Sequence, residues 1–101
     1  MAQTPEGKVK KRITELLKVH RVWYFFPASN GFGRAGIPDI IAIVNGLFIG
    51  IEVKADKTKK PTELQKKCGE EIMSHGGAWF LVYDNDTLDE LIKFIANIKY
   101  R

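Results

Sequence analysis

Two β-branched apolar runs, residues 37–44 and 47–54, are separated by Asn45-Gly46. That dipeptide closes an antiparallel hairpin, because both of its residues accept the positive φ of a turn whose twist matches the flanking strands. A two-residue turn also sets the register: Val44 faces Leu47, Ile43 faces Phe48 and Ala42 faces Ile49. Continued without a bulge, the count brings Asp39 opposite Glu52. Directly opposed residues leave the same sheet face with Cβ atoms about 4.5 to 5.5 Å apart, and strand alternation places Lys54 on that face as well.

Two carboxylates facing each other in otherwise apolar strands repel, so a sequence that only had to fold would avoid the pair. A divalent cation between them removes the conflict. Two carboxylates, a backbone carbonyl and water are the hard oxygen ligands that Mg²⁺ takes, with positions left for a phosphate and an attacking water. Lys54 beside them would stabilise a phosphoryl transition state or help deprotonate the nucleophile. A plainer reading has Asp39 ending its strand after Pro38 while Glu52 and Lys54 form an ordinary solvent-facing pair. Against it, the neighbours on that face are Phe48, Gly50, Ile43 and Ile41.

Around the hairpin, Thr4-Pro5 opens a helix over residues 5–20, with Val9, Ile13, Leu16, Leu17 and His20 on its apolar side. Residues 22–26, Val-Trp-Tyr-Phe-Phe, read as a strand covered on both faces and stopped by Pro27. Residues 28–36 hold three glycines and one cation, Arg34, and predict a mobile loop. After a basic connector over residues 55–61, Thr62-Glu63-Leu64-Gln65 is a capping box that opens a helix ending near Gly76-Gly77. Residues 78–83 form a second buried strand, with Trp79, Phe80 and Tyr83 in the core. Asp84 to Thr87 then caps a last helix with the stripe Leu88, Leu91, Ile92, Ile95 and Ile98. The order is α-β-β-β-α-β-α, without repeats.

The 101 residues suit one domain, 1–101, with little volume for an enclosed pocket, which favours chemistry on an outside substrate. A formal charge of +4 favours a polyanionic partner. No apolar run approaches the ~20 residues of a membrane span and no signal peptide is visible, so a cytoplasmic protein with no membrane partner is expected. The lone Cys68 excludes an internal disulfide and a cysteine zinc site, and is assigned to the core.

Gly36-Ile37-Pro38-Asp39, then Glu52-Val53-Lys54, then Gln65 on the following helix together resemble the PD-(D/E)XK nuclease superfamily. Within it they resemble the viral-type replication-repair nuclease domain, VRR-NUC, including its stand-alone phage members. The resemblance covers nearly the whole chain and implies an α/β fold with a restriction-endonuclease-like core, a mixed sheet flanked by helices. It implies Mg²⁺ or Mn²⁺ as cofactor, with no organic cofactor, held by Asp39, Glu52 and the Val53 carbonyl, with Lys54 assisting hydrolysis. It further implies an acidic residue from the first helix, for which Glu15 is the candidate, and a helix glutamine, for which Gln65 is the candidate. Glu15 is equally explained by ion pairing with Lys11 and Lys18. Gln65 sits where it would cap Thr62, and one amide is not expected to cap that residue and reach the hairpin face together.

Arg34 at one end of the site and Lys57, Lys59 and Lys60 at the other are candidates for phosphate contacts. Lys8, Lys10, Lys11 and Arg12 form a second basic surface. His20 and His75 are assigned to packing and a helix end. The aromatic run over residues 23–26 is dense enough to call for a symmetric partner, hence a homodimer. The function these features favour is a metal-dependent DNA endonuclease acting on branched DNA, such as a four-way junction in repair or replication, in the host cytoplasm if phage-encoded. The alternatives are a flap, nick or duplex nuclease, and a non-catalytic nucleic-acid-binding domain.

Overall fold

The hairpin is the centre of the molecule. In the computed structural model, which describes residues 3–28 and 34–101, β2 (Ile40–Val44) and β3 (Leu47–Val53) pair through Ile43 with Phe48, Ala42 with Ile49 and Ile40 with Ile51. That is the register the Asn45-Gly46 turn dictates, and both turn residues have positive φ, 49° and 84°. Strand β1 (Trp23–Phe25) pairs antiparallel with β2, and β4 (Ala78–Val82) pairs parallel with β3, giving a mixed four-stranded sheet in the order β1-β2-β3-β4. The parallel pair requires a crossover, and α2 (Glu63–Ser74) supplies it. Helices α1 (Pro5–Val19) and α3 (Asn85–Lys99) complete the order read from the sequence.

One sheet face carries the apolar core. Ile40, Ala42, Val44, Ile49, Ile51, Val53 and Val82 alternate inward and meet Ile13 and Leu17 of α1 and Leu88, Leu91 and Ile95 of α3. Each helix begins with a side-chain cap. Thr4 accepts from Gly7 N–H, Thr62 from Gln65 N–H and Asp84 from Thr87 N–H, which satisfies donors the helix cannot satisfy itself.

The other face is covered by α2 only in part. Gly69 lies so close to the Trp79 ring, and Gly77 so close to Ile72, that an added Cβ would overlap each. Beyond the helix the face is bare. Trp23 is 61% exposed and Phe25 44%, with Ile43 and Phe48 beside them at 40%. The expectation that residues 22–26 are covered on both faces is therefore corrected: β1 is a three-residue edge strand, with Val22 and Tyr24 toward the core, Trp23 and Phe25 on the outer face, and Phe26, half exposed, beside Tyr24. Nor is β4 a fully buried strand. It forms the opposite edge, and only Val82 is buried. Cys68 is buried as expected, although Leu64 near it is exposed. Most of the glycine loop expected to be mobile, residues 29–33, lies outside the described residues.

Candidate active site

The strand expected from residue 37 begins only at Ile40, and the reason is local. Pro38 has no N–H to give a ladder, and the side chain of Asp39 replaces the ladder: its Oδ2 accepts the Val53 N–H at 2.8 Å. Two glycines hold this segment in place. Gly36 has φ +79° and lies against the first turn of α2, where a Cβ would fall 2.2 Å from the Leu64 carbonyl oxygen. At Gly50 a Cβ would fall 2.8 Å from Pro38 Cγ, so the bare backbone of β3 makes the space into which Pro38 packs. Pro38 is fully buried there, and Asp39 follows it toward the end of β3.

Glu52 is the sole buried charged residue among the described residues, 1% exposed. Its Oε1 accepts from Gln65 Nε2 at 3.1 Å, while Oε2 is buried without a partner. Burial chiefly, then the neighbouring Asp39 carboxylate, push the Glu52 pKa from 4.5 to about 9. Lys54 offsets this in part, and Glu6 adds to it. A buried, orphaned carboxylate oxygen opposite a second carboxylate is an arrangement water alone does not justify. It fits a small divalent cation. Asp39 and Glu52 supply anionic oxygens, and because the Val53 N–H is turned toward Asp39, the carbonyl of that extended residue points to the same side. The described residues contain no group of three His, Cys, Asp or Glu side chains that could hold a metal. Two carboxylates with a carbonyl and water are the donors Mg²⁺ commonly uses.

Gln65 corrects the expectation that its two roles exclude each other. The amide has two ends: Oε1 accepts the Thr62 N–H at 2.8 Å and closes the capping box, while Nε2 reaches Glu52. One residue thereby starts α2 and orients the carboxylate. Glu15 is not brought to the site. It is exposed and lies about 160° around α1 from buried Ile13, at 100° per residue. Glu6, about 20° from Ile13 on the same count, is the first-helix carboxylate whose charge acts on Glu52. Its spacing of seven from Ile13 and eleven from Leu17 was the signal in the sequence that pointed to it.

The basic residues divide. Lys57, Lys59 and Lys60 are exposed and line a groove with Leu81 and Tyr83. Tyr83, assigned to the core from sequence, is instead half-buried at that groove, on the sheet face of Lys54. Arg34 is engaged: its Nη2 lies 2.5 Å from Glu71 Oε2 of α2, which holds that carboxyl below its usual range. Lys10 of the N-terminal cluster lies 4.4 Å above the Phe26 ring. His20 Nδ1 meets the Tyr100 hydroxyl at 3.0 Å, and His75 Nδ1 lies 2.8 Å from the Glu71 carbonyl oxygen, so each is occupied locally.

No family model matches the sequence, and no curated protein does. Among solved structures, one described as "VRR_NUC domain" is 30% identical, over 89% of this chain and 96% of its own length, with a TM-score of 0.78. Another, "VRR_NUC domain protein", has a TM-score of 0.74 over 96% of this chain and 92% of its own, and at 19% identity shows the fold alone. With 30% identity to the first structure over 89% of its length, and with the same mixed sheet between helices, this chain belongs to the VRR-NUC nuclease-domain family.

Proposed function

We propose that this chain is a divalent-metal-dependent DNA endonuclease, its whole span of 1–101 forming one nuclease domain. The observation that carries the reading is Glu52, buried with one oxygen unpartnered and facing Asp39. Asp39, Glu52 and the Val53 carbonyl would hold Mg²⁺ or Mn²⁺, and Glu6, in place of Glu15, adds negative charge from α1. A divalent ion held there would supply Lewis-acid stabilisation of the phosphate and activation of the attacking water. Gln65 keeps the Glu52 carboxylate from rotating, and Lys54 sets a positive charge beside the position a phosphate would take. Lys57, Lys59 and Lys60 give the DNA backbone a cationic bank next to the site, and Arg34 joins them only by leaving Glu71.

The bare aromatic half of the sheet face supports a homodimer, since exposed patches of this kind on soluble proteins mark interaction surfaces. Two sites related by a two-fold axis suit paired cuts in branched DNA, with a cytoplasmic setting. Cleavage of a four-way junction, a flap and a linear duplex of the same sequence, with Mg²⁺ or Mn²⁺ and with chelator, tests the reading. Junction cleavage lost on chelation and in Asp39→Ala is the expected result. Full metal-dependent activity in that variant refutes the site, and a preference for the flap or linear duplex moves the substrate.

A further inference from the structure

Beside the carboxylate pair, along the β4 edge of the sheet, lies a groove of about 480 Å³, of which the chemistry above uses only the lysines. Its lining is Lys57, Thr58, Lys59, Lys60, Leu81 and Tyr83. The register fixes its relation to the site. Leu81 of β4 stands beside Glu52 of β3, and the Lys54 N–H donates to the Val82 carbonyl at 3.0 Å, which carries the pairing one step further and sets Tyr83 beside Lys54. The floor of the groove is therefore apolar and aromatic and continuous with the catalytic face, and its wall is cationic.

Both sides of the groove are built. Asp56 Oδ1 accepts the Thr58 N–H at 2.8 Å and the Asp56 carbonyl accepts the Lys59 N–H at 3.1 Å, so the lysines stand on a closed turn. Tyr83 is tied by its own N–H to Thr87 Oγ1 at 3.0 Å, where α3 begins. Core packing does not explain the ring. Phe80 and Val82, on the other face, belong to the core with α3, where Phe80 meets Phe94 with tilted rings 5.0 Å apart, whereas Tyr83 is half-buried on the face away from them. Lys57 and Lys59 each act on a neighbouring carboxyl, Asp84 and Asp56 in turn, as minor contributors beside the hydrogen bonds from Thr87 and Thr58.

Tyr83 lines the same groove as Lys59 and Lys60 and stands beside Lys54 at the carboxylate site, so a strand that the lysines hold passes an aromatic ring. Only a base that has left its own stack can lie on it. Resting on the nuclease reading, we propose that Tyr83 is a base-stacking residue: it receives one unpaired nucleobase beside the scissile phosphate, while Lys59 and Lys60 hold the flanking phosphates. The substrate class this selects is DNA with an unpaired or readily unpaired nucleotide at the cleavage point, such as a branch point. Continuous duplex offers no free base face and binds through the lysines alone.

The test is an abasic scan. Affinity for a branched oligonucleotide is measured by fluorescence anisotropy, with a single abasic residue moved through the branch, for the wild type, Tyr83→Ala and Tyr83→Phe. Tyr83→Ala is expected to weaken binding roughly 5- to 100-fold, and Tyr83→Phe to keep it. One abasic position is expected to cost the wild type the same factor and to cost Tyr83→Ala nothing more. Lys59→Ala and Lys60→Ala are expected to flatten the dependence of affinity on salt by about one ion each at every abasic position, and Tyr83→Ala to leave that slope unchanged. Wild-type binding that no abasic position weakens, or a Tyr83→Ala loss that adds to the abasic loss, overturns the proposal, and the first of these requires no variant to fold. Absence of cleavage of any DNA by the wild type would sink the nuclease reading while the abasic pattern still decided the stacking.

Discussion

Ile51 and Glu52 are consecutive residues of one strand, 0% and 1% exposed, yet they face opposite sides of the sheet and do opposite things. Ile51 points into a core sealed by α1 and α3, where every neighbour is apolar. Glu52 points to the face that α2 half covers, where a carboxylate, an amide and a lysine gather and one carboxylate oxygen has no partner. Equal burial thus carries opposite energetic signs. On the first face removing atoms leaves a cavity, and on the second removing charge relieves a penalty.

The comparison breaks most visibly at the core. Ile51→Ala is expected to cost about 2 to 5 kcal/mol in urea denaturation; a cost under about 1 kcal/mol would mean the first face is not sealed. Glu52→Gln should do the reverse and stabilise the metal-free protein at pH 7 by roughly 3 to 3.5 kcal/mol while abolishing cleavage. The sign follows from the raised pKa. Below pH 4.5 Glu52 is protonated in both states, and between there and about 9 the unfolded chain releases a proton that the folded one keeps. Metal-free stability therefore falls by about 1.4 kcal/mol per pH unit across that window and levels above it, a slope that Glu52→Gln should flatten.

Gly36→Ala sharpens the account of how the second face is placed. A Cβ at φ +79° against the Leu64 carbonyl is expected to cost about 2 kcal/mol or more and to lower cleavage with it, by displacing Pro38 and Asp39. Gln65→Ala should cost least, about 1 kcal/mol for the cap. It should also weaken Mg²⁺ dependence, which a residue that only capped the helix would leave unchanged.

The hairpin was legible because side-chain alternation has period two and the Asn-Gly turn leaves one register, so Asp39 and Glu52 had to meet if no bulge intervened. The helices were legible from their caps and apolar stripes. The first-helix carboxylate was not, because the family resemblance asked only for an acidic residue on that helix and was met with Glu15, while helix phase against Ile13 and Leu17 pointed to Glu6. Gln65 escaped for a different reason: a capping box describes only one end of an amide. The exposed side of β1 was hidden because an all-aromatic run reads the same whether one face is covered or both. How far α2 extends over the sheet is a tertiary fact that no local pattern encodes.

The central claim is that Glu52 is buried in a form poised for a cation, and a carboxyl titration followed by NMR in labelled protein reads it directly. The account expects Glu52 to titrate near 9 without metal and to fall into the ordinary carboxylate range or below on adding Mg²⁺, with no such Mg²⁺ response in Asp39→Asn. A Glu52 that titrates in the ordinary range without metal and is unmoved by Mg²⁺ would contradict it.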